Sequence, residues 1–125
     1  MTHKNGSFFS SFKNAIQGLR HLLVSEKNAR FHLFASIVVI TVGILLRITI
    51  GDWLWVCLAI FLVWITELSN TAIEKICDLV DPDFNPLIKI SKDLSAAAVL
   101  LAAVFSVLVG IAVFLPRLLD FLRFL

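Results

Sequence analysis

Charge is scarce in this 125-residue chain, where Asp, Glu, Lys and Arg together make up 16% of residues and the formal net charge is only +2. The eleven basic residues are scattered rather than clustered, which excludes a nucleic-acid-binding surface. Cysteine is also rare. Its two copies, Cys57 and Cys77, lie twenty positions apart on one expected helix, a separation of roughly 30 Å at the helical rise, so they do not pair within the chain. Neither has the spacing of a metal site. There is no G-x-x-x-x-G-K-[ST] loop, no kinase-type glycine-rich loop and no H-E-x-x-H, which excludes the familiar soluble nucleotide folds and the zinc hydrolases. Internal repeats and low-complexity stretches are absent. No cleavable signal is expected, because the first long apolar run begins only after Arg30.

Apolar side chains are what the sequence has in abundance. They account for 59% of residues, and the mean hydropathy is +0.94. Soluble domains rarely exceed about 50%, so lipid is expected to be much of the solvent. A chain this short makes one domain and encloses little space, so a substrate of any size would be held at the lipid surface or between subunits.

Along the chain, about residues 7–28 read as an amphipathic surface helix. Phe8, Phe12, Ala15, Ile16, Leu19, Leu22 and Leu23 recur at spacings of three and four, with Lys13, Gln17, Arg20 and His21 elsewhere around the wheel. The first transmembrane span is expected over 31–50, with Arg47 snorkelling to the headgroups and Gly51 and Asp52 making the turn. The second covers 53–80, opening on the interfacial Trp53 and Trp55 and continuing as a helix beyond its apolar part. Asp81 and Pro82 end it, and a polar loop is expected to about Lys92. The third span covers 93–115, closed by Pro116 and Arg117, and 116–125 form a short tail. Lys4, Lys13, Arg20, Lys27 and Arg30 precede the first span, and Lys75, Lys89 and Lys92 fall between the second and third. The positive-inside rule therefore puts both regions in the cytoplasm.

The second helix carries a polar row. At 100° per residue, Glu67, Asn70, Thr71, Glu74 and Asp78 fall within an arc of roughly 100°. Counting a 30 Å hydrocarbon core from Trp53 puts its inner edge near Ala72, with Glu67 several ångströms inside and Glu74 and Asp78 outside. A carboxylate at that depth costs about 2–4 kcal/mol unless it is paired, protonated or reached by water. Such a group is placed to act as a general base on a hydroxyl at headgroup depth, where lipid alcohols carry theirs. Glu74, with Glu26 brought in from the end of the surface helix, has the chemistry to hold Mg²⁺. Lys89 and Lys92 supply charge for phosphates.

Plainer readings exist for several of these residues. Asp78, Asp81 and Asp83 taken singly read as a solvated helix end, Lys92-Asp93 as a helix start, and His32 with Arg30 as a headgroup anchor. The row as a whole could also serve a non-enzymatic membrane protein that binds cations. Against that stands the lack of any ionisable residue at mid-depth in the first and third spans. A phosphatidyltransferase would be expected to show a D-G-x-x-A-R type motif, and there is none.

The run E-L-S-N-T-A-I-E-K-I-C-D-L-V from Glu67 to Val80, K-D at Lys92-Asp93 and A-A-A-V-L-L from Ala96 to Leu101 closely resemble the prokaryotic diacylglycerol kinase family. S-F-K-N-A-I-Q-G-L-R and S-E-K-N-A-R-F-H fit as well, so the resemblance spans about residues 7–115. It implies an all-α homotrimer in the bacterial inner membrane, three spans and a surface helix per subunit, moving the γ-phosphate of Mg-ATP to a lipid hydroxyl. Carried over residue by residue, Glu67 is the general base, Glu26 and Glu74 are the metal ligands and Asn70 is a polar partner. Lys92 contacts ATP phosphates, Asp78 and Asp93 structure the nucleotide pocket, and Arg30 lies near the site. Asn14 stands where one branch has an aromatic near the adenine, and Asn85 replaces a common loop His. N-A-R-F-H and N-T-A-I-E are nearer the branch acting on undecaprenol than the one acting on diacylglycerol.

Overall fold

A computed structural model describes residues 7–125; Lys4, counted above among the basic residues before the first span, lies outside them. Among the described residues every regular element is a helix: α1 (Phe8–Ser25), α2 (Lys27–Leu45), α3 (Ile50–Val80) and α4 (Pro86–Arg123). The last three are long and apolar enough to cross a membrane, with mean hydropathies of 1.7, 1.8 and 2.9 over their most apolar windows.

Each boundary has a local cause. Ser7 caps α1 by accepting a hydrogen bond from the Ser10 N–H. The chain then turns at Glu26, whose extended backbone (φ −110°, ψ 122°) separates α1 from α2. No proline or glycine marks this corner. Arg30 holds it from the other side, donating to the carbonyls of Leu23 and Val24 at 3.2 and 3.0 Å, which the end of α1 leaves without helical partners. The apolar helix therefore begins at Lys27, four residues before the expected span.

It also ends sooner. Arg47 adopts a left-handed conformation (φ 51°), the Arg47 N–H donates to the Ile44 carbonyl and the Ile48 N–H to the Gly43 carbonyl, both at 3.2 Å. This pair of bonds is a Schellman termination, and Gly43 is what lets it close. A Cβ there would stand 2.7 Å from the Trp53 ring and 3.2 Å from Ile48. Gly51 and Asp52, expected as the turn, belong instead to the first turn of α3. Thr49 and Asp52 form a reciprocal capping box that starts the helix.

The expected loop from Asp81 to about Lys92 is corrected to five residues, 81–85. Asp81 accepts from the Asp83 N–H and the Asn85 amide, Asn85 caps α4 by accepting from the Leu87 N–H, and Pro86 occupies the first turn. Proline there starts a helix, since no helical donor is lost. Pro116 likewise does not end α4, which runs on to Arg123 and absorbs the expected tail.

α3 and α4 pack along most of their length, with α2 touching α3 more lightly. The core joins Ile48, Val56, Ala59, Val109 and Val113. Ala59, Ala102 and Ser106 keep the two backbones close, and the Ser106 hydroxyl lies 3.3 Å from the Ala59 carbonyl. Trp64 donates across to Ser36 on α2. At the end far from Glu67, Arg117 pairs with Asp52 at 3.5 Å, joining α4 to the start of α3.

Candidate active site

Val56, Ala59 and Val63 form the buried seam of α3, and the next position on that seam is Glu67. Its register with the apolar residues buries the carboxylate, leaving the residue 2% exposed, with Thr71 buried one turn beyond. Among the described residues no side chain hydrogen-bonds to Glu67. Its nearest ionic partner is His32 of α2, whose Nε2 lies 4.0 Å from Oε2. A buried carboxylate with open lone pairs is costly unless something transient uses them. Glu26, at the α1–α2 corner, and Glu74 are near enough for their charges to act on Glu67. Glu67 thus feels the charge of a residue 41 positions away in sequence, at the α1–α2 corner, as well as that of Glu74 on its own helix.

The rest of the row is graded from buried to wet. Asn70 donates from Nδ2 to Glu74 Oε1 at 3.3 Å, and the buried Ser95 hydroxyl of α4 lies 2.7 Å from Asn70 Oδ1. An ionised carboxylate only accepts, so this arrangement fixes which way the Asn70 amide faces. The result is a chain from α4 to α3, hydroxyl to amide to carboxylate, in which the Ser95 hydroxyl also lies 2.9 Å from the Lys92 carbonyl of its own helix. Ser95 went unnoticed in the sequence because a single Ser in an apolar span carries no pattern. Its position three residues after Lys92, facing the polar row, was the only available signal.

Further along, Lys92 of α4 pairs with Asp78 of α3. That hydrogen bond, on the helix portion preceding the uncharged stretch from Leu94, holds the ammonium above its ordinary pKa and so keeps it charged. Asp93 faces a different direction, pairing with Lys89 one turn earlier on an exposed face of α4. Arg30 is spent on the α1–α2 corner. The structure thus puts Glu67 within reach of the charges of Glu26 and Glu74, ties Asn70 to Glu74 and Lys92 to Asp78, and engages Asp93 with Lys89 and Arg30 with the end of α1.

An apolar cavity of about 280 Å³ lies between α2, α3 and α4, with His32, the residue that faces Glu67, and Ser36, Val39, Val63 and Phe114 among its walls. Its lining passes from hydrocarbon side chains to His32 at the end nearest Glu67. Among the described residues no group of three or more His, Cys, Asp or Glu forms a metal cage. A pair of carboxylates suits Mg²⁺, which keeps water and takes phosphate oxygens for the rest of its shell. Carboxylates such as those of Glu26 and Glu74 have the donor chemistry that ion takes.

Three helices of membrane-crossing length, with a buried carboxylate on the seam of the second and further charged groups on the same helix, define an all-helical membrane-type protein with a polar site. The chain belongs to the prokaryotic diacylglycerol kinase family, whose model matches residues 13–114. The family comprises lipid kinases that transfer phosphate to an alcohol. The undecaprenol kinase of Bacillus subtilis (strain 168) is 38% identical over 118 residues, covering 93% of this chain and 96% of its own. A diacylglycerol kinase of Synechocystis sp. is 40% identical over 111 residues, 88% of this chain and 63% of the relative, and one from Helicobacter pylori is 30% identical over 92 residues, 74% and 72%.

Proposed function

We propose that this chain is an ATP- and Mg²⁺-dependent kinase of a membrane lipid alcohol, working as a homotrimer at the cytoplasmic face of the bacterial inner membrane with α1 lying in the interface. The observation that carries it is Glu67: a carboxylate on the buried seam, free of side-chain hydrogen bonds, facing a histidine that lines an apolar cavity and within reach of the charges of two further acids. In the reaction Glu67 accepts the proton of the lipid hydroxyl as its oxygen bonds to the γ-phosphorus and the bond from that phosphorus to the leaving β-phosphate oxygen breaks. Glu26 and Glu74 would hold Mg²⁺, which would supply neutralisation of phosphate charge. Asn70, anchored by Ser95, keeps Glu74 in place, and Lys92, steadied by Asp78, faces the phosphates.

Undecaprenol is the first substrate to try, because similarity to the Bacillus enzyme runs nearly end to end through both chains. Diacylglycerol is the second, on the strength of the similarity to the Synechocystis enzyme. The test is transfer from labelled Mg-ATP to each lipid by detergent-solubilised protein. Glu67→Gln is expected to lower turnover at least about 100-fold, the lower range for a lost general base. Wild-type turnover in Glu67→Gln overturns the role of Glu67, and cation flux without ATP consumption would favour a non-enzymatic carrier.

A further inference from the structure

We infer that His32 is a positioning residue for Glu67, an assignment that rests on the proposed role of Glu67 as the base. The corner at Glu26 starts α2 at Lys27, which puts His32 in the second turn of the helix rather than at its frayed end. From there the imidazole turns inward. Its side chain is 18% exposed and that of Glu67 is 3% exposed, and the two face each other across 4.0 Å.

The surroundings leave His32 without a competitor. Glu67 is faced by Glu26 from the α1–α2 corner and by Glu74 from its own helix, both acidic. Among the described residues no Lys or Arg side chain comes within ion-pair distance of its carboxylate, and Lys92 of α4 is engaged with Asp78. A carboxylate repelled by two acids and given no hydrogen bond has no fixed orientation of its own. An N–H from Nε2 to Oε2 fixes it, leaving Oε1 for the lipid hydroxyl.

At 4.0 Å the contact is about 1 Å longer than a hydrogen bond, and catalytic contacts of this kind commonly tighten when substrate is bound. His32 is also part of the cavity wall, so a lipid alcohol whose tail occupies that cavity brings its hydroxyl to this pair. The ring is further held edge-on against Phe31, with centroids 5.9 Å apart.

The experiment compares His32→Ala, His32→Gln, Glu67→Gln and the His32→Ala/Glu67→Gln double variant, using the solubilised full chain, Mg-ATP and undecaprenol or diacylglycerol. His32→Ala is expected to lower kcat about 10- to 100-fold, the scale of a base misplaced by about an ångström, with both KM values within about twofold of wild type on the same ground. His32→Gln, which keeps an N–H donor, is expected to recover most of that loss. The double variant should be no slower than Glu67→Gln alone, because His32 acts through Glu67. Should His32→Ala fail to assemble, His32→Phe keeps the ring without its nitrogens and is expected to show the same loss of kcat. Wild-type kcat in the Ala or Phe variant, losses confined to KM, or losses that multiply in the double variant each overturn the assignment. With Glu67→Gln inactive, such a result removes His32 alone, whereas an active Glu67→Gln removes the base itself.

Discussion

At the scale of single residues, the site is governed by which polar groups are given partners and which are denied them. Asn70 and Glu74 are hydrogen-bonded to each other, whereas Glu67 is held in the same helix without a side-chain hydrogen bond. Ser95 is the anchor of the engaged half. Removing its hydroxyl leaves the Asn70 carbonyl oxygen unsatisfied, a loss of about 1 kcal/mol if the amide then wanders, or about fivefold in rate if Glu74 moves with it. Ser95→Ala is accordingly expected to lower kcat about fivefold and raise the Mg²⁺ concentration needed for half-maximal turnover, while Ser95→Thr keeps the hydroxyl and stays near wild type. Titrating turnover with Mg²⁺ for both variants checks it, and an unchanged Ser95→Ala would remove Ser95 from the chain. Only part of this was legible beforehand. Depth and periodicity singled out Glu67, Asn70 and Glu74, because one helix carries all three. The Ser95–Asn70 and His32–Glu67 contacts join residues 25 and 35 positions apart, and no periodicity within a helix encodes which face of its neighbour it meets. His32 was read as a headgroup anchor for that reason.

At the scale of elements, hydropathy located the three long helices, but their ends were set by hydrogen bonds that hydropathy does not see. The α1–α2 corner has no helix-breaking residue, and Arg30 capping stands in for one. Pro86 was read as part of a loop and Pro116 as a stop, yet proline in a first turn costs nothing, and α4 carries Pro116 within its length. Gly51-Asp52 was read as a turn because Gly and Asp favour turns, while the preceding Thr49 makes the same Asp52 a capping residue. The α2–α3 connection depends most on Gly43, against which both Ile48 and Trp53 close. Gly43→Ala forces the Trp53 ring aside in a packed corner, and overpacking of this kind costs about 1–3 kcal/mol. The variant is expected to unfold at a lower temperature in detergent while retaining the Mg²⁺ requirement of the wild type, since the corner lies at the opposite end of α3 from Glu74. A thermal melt followed by near-ultraviolet circular dichroism reads the first effect, and equal melting of the two proteins would show that the corner adjusts freely.

At the scale of the whole molecule, one chain leaves its machinery unenclosed. α3 extends about 46 Å and α4 about 57 Å at the helical rise, so each projects beyond a hydrocarbon core of about 30 Å, and the Lys92–Asp78 pair lies on these projections, with both side chains more than a third exposed. The α1 residues Phe8, Phe9 and Phe12 are exposed, as are Ile73, Ile76 and Leu79 on α3 near the polar row. The latter three lie where the sequence count places the helix at or beyond the inner edge of the hydrocarbon, so lipid does not readily cover them. Apolar side chains exposed to water at that level are a cost that association with further copies of the chain relieves. Copies joined there would also cover the exposed Lys92–Asp78 pair. Assembly and turnover are therefore expected to fall together when Ile76→Lys places a charge on this α3 face. Native mass measurement in mild detergent should give three times the 14.0 kDa chain for the wild type and smaller species for the variant, with transfer activity declining in the same fractions. A monomer of full activity would show that one chain closes its own site.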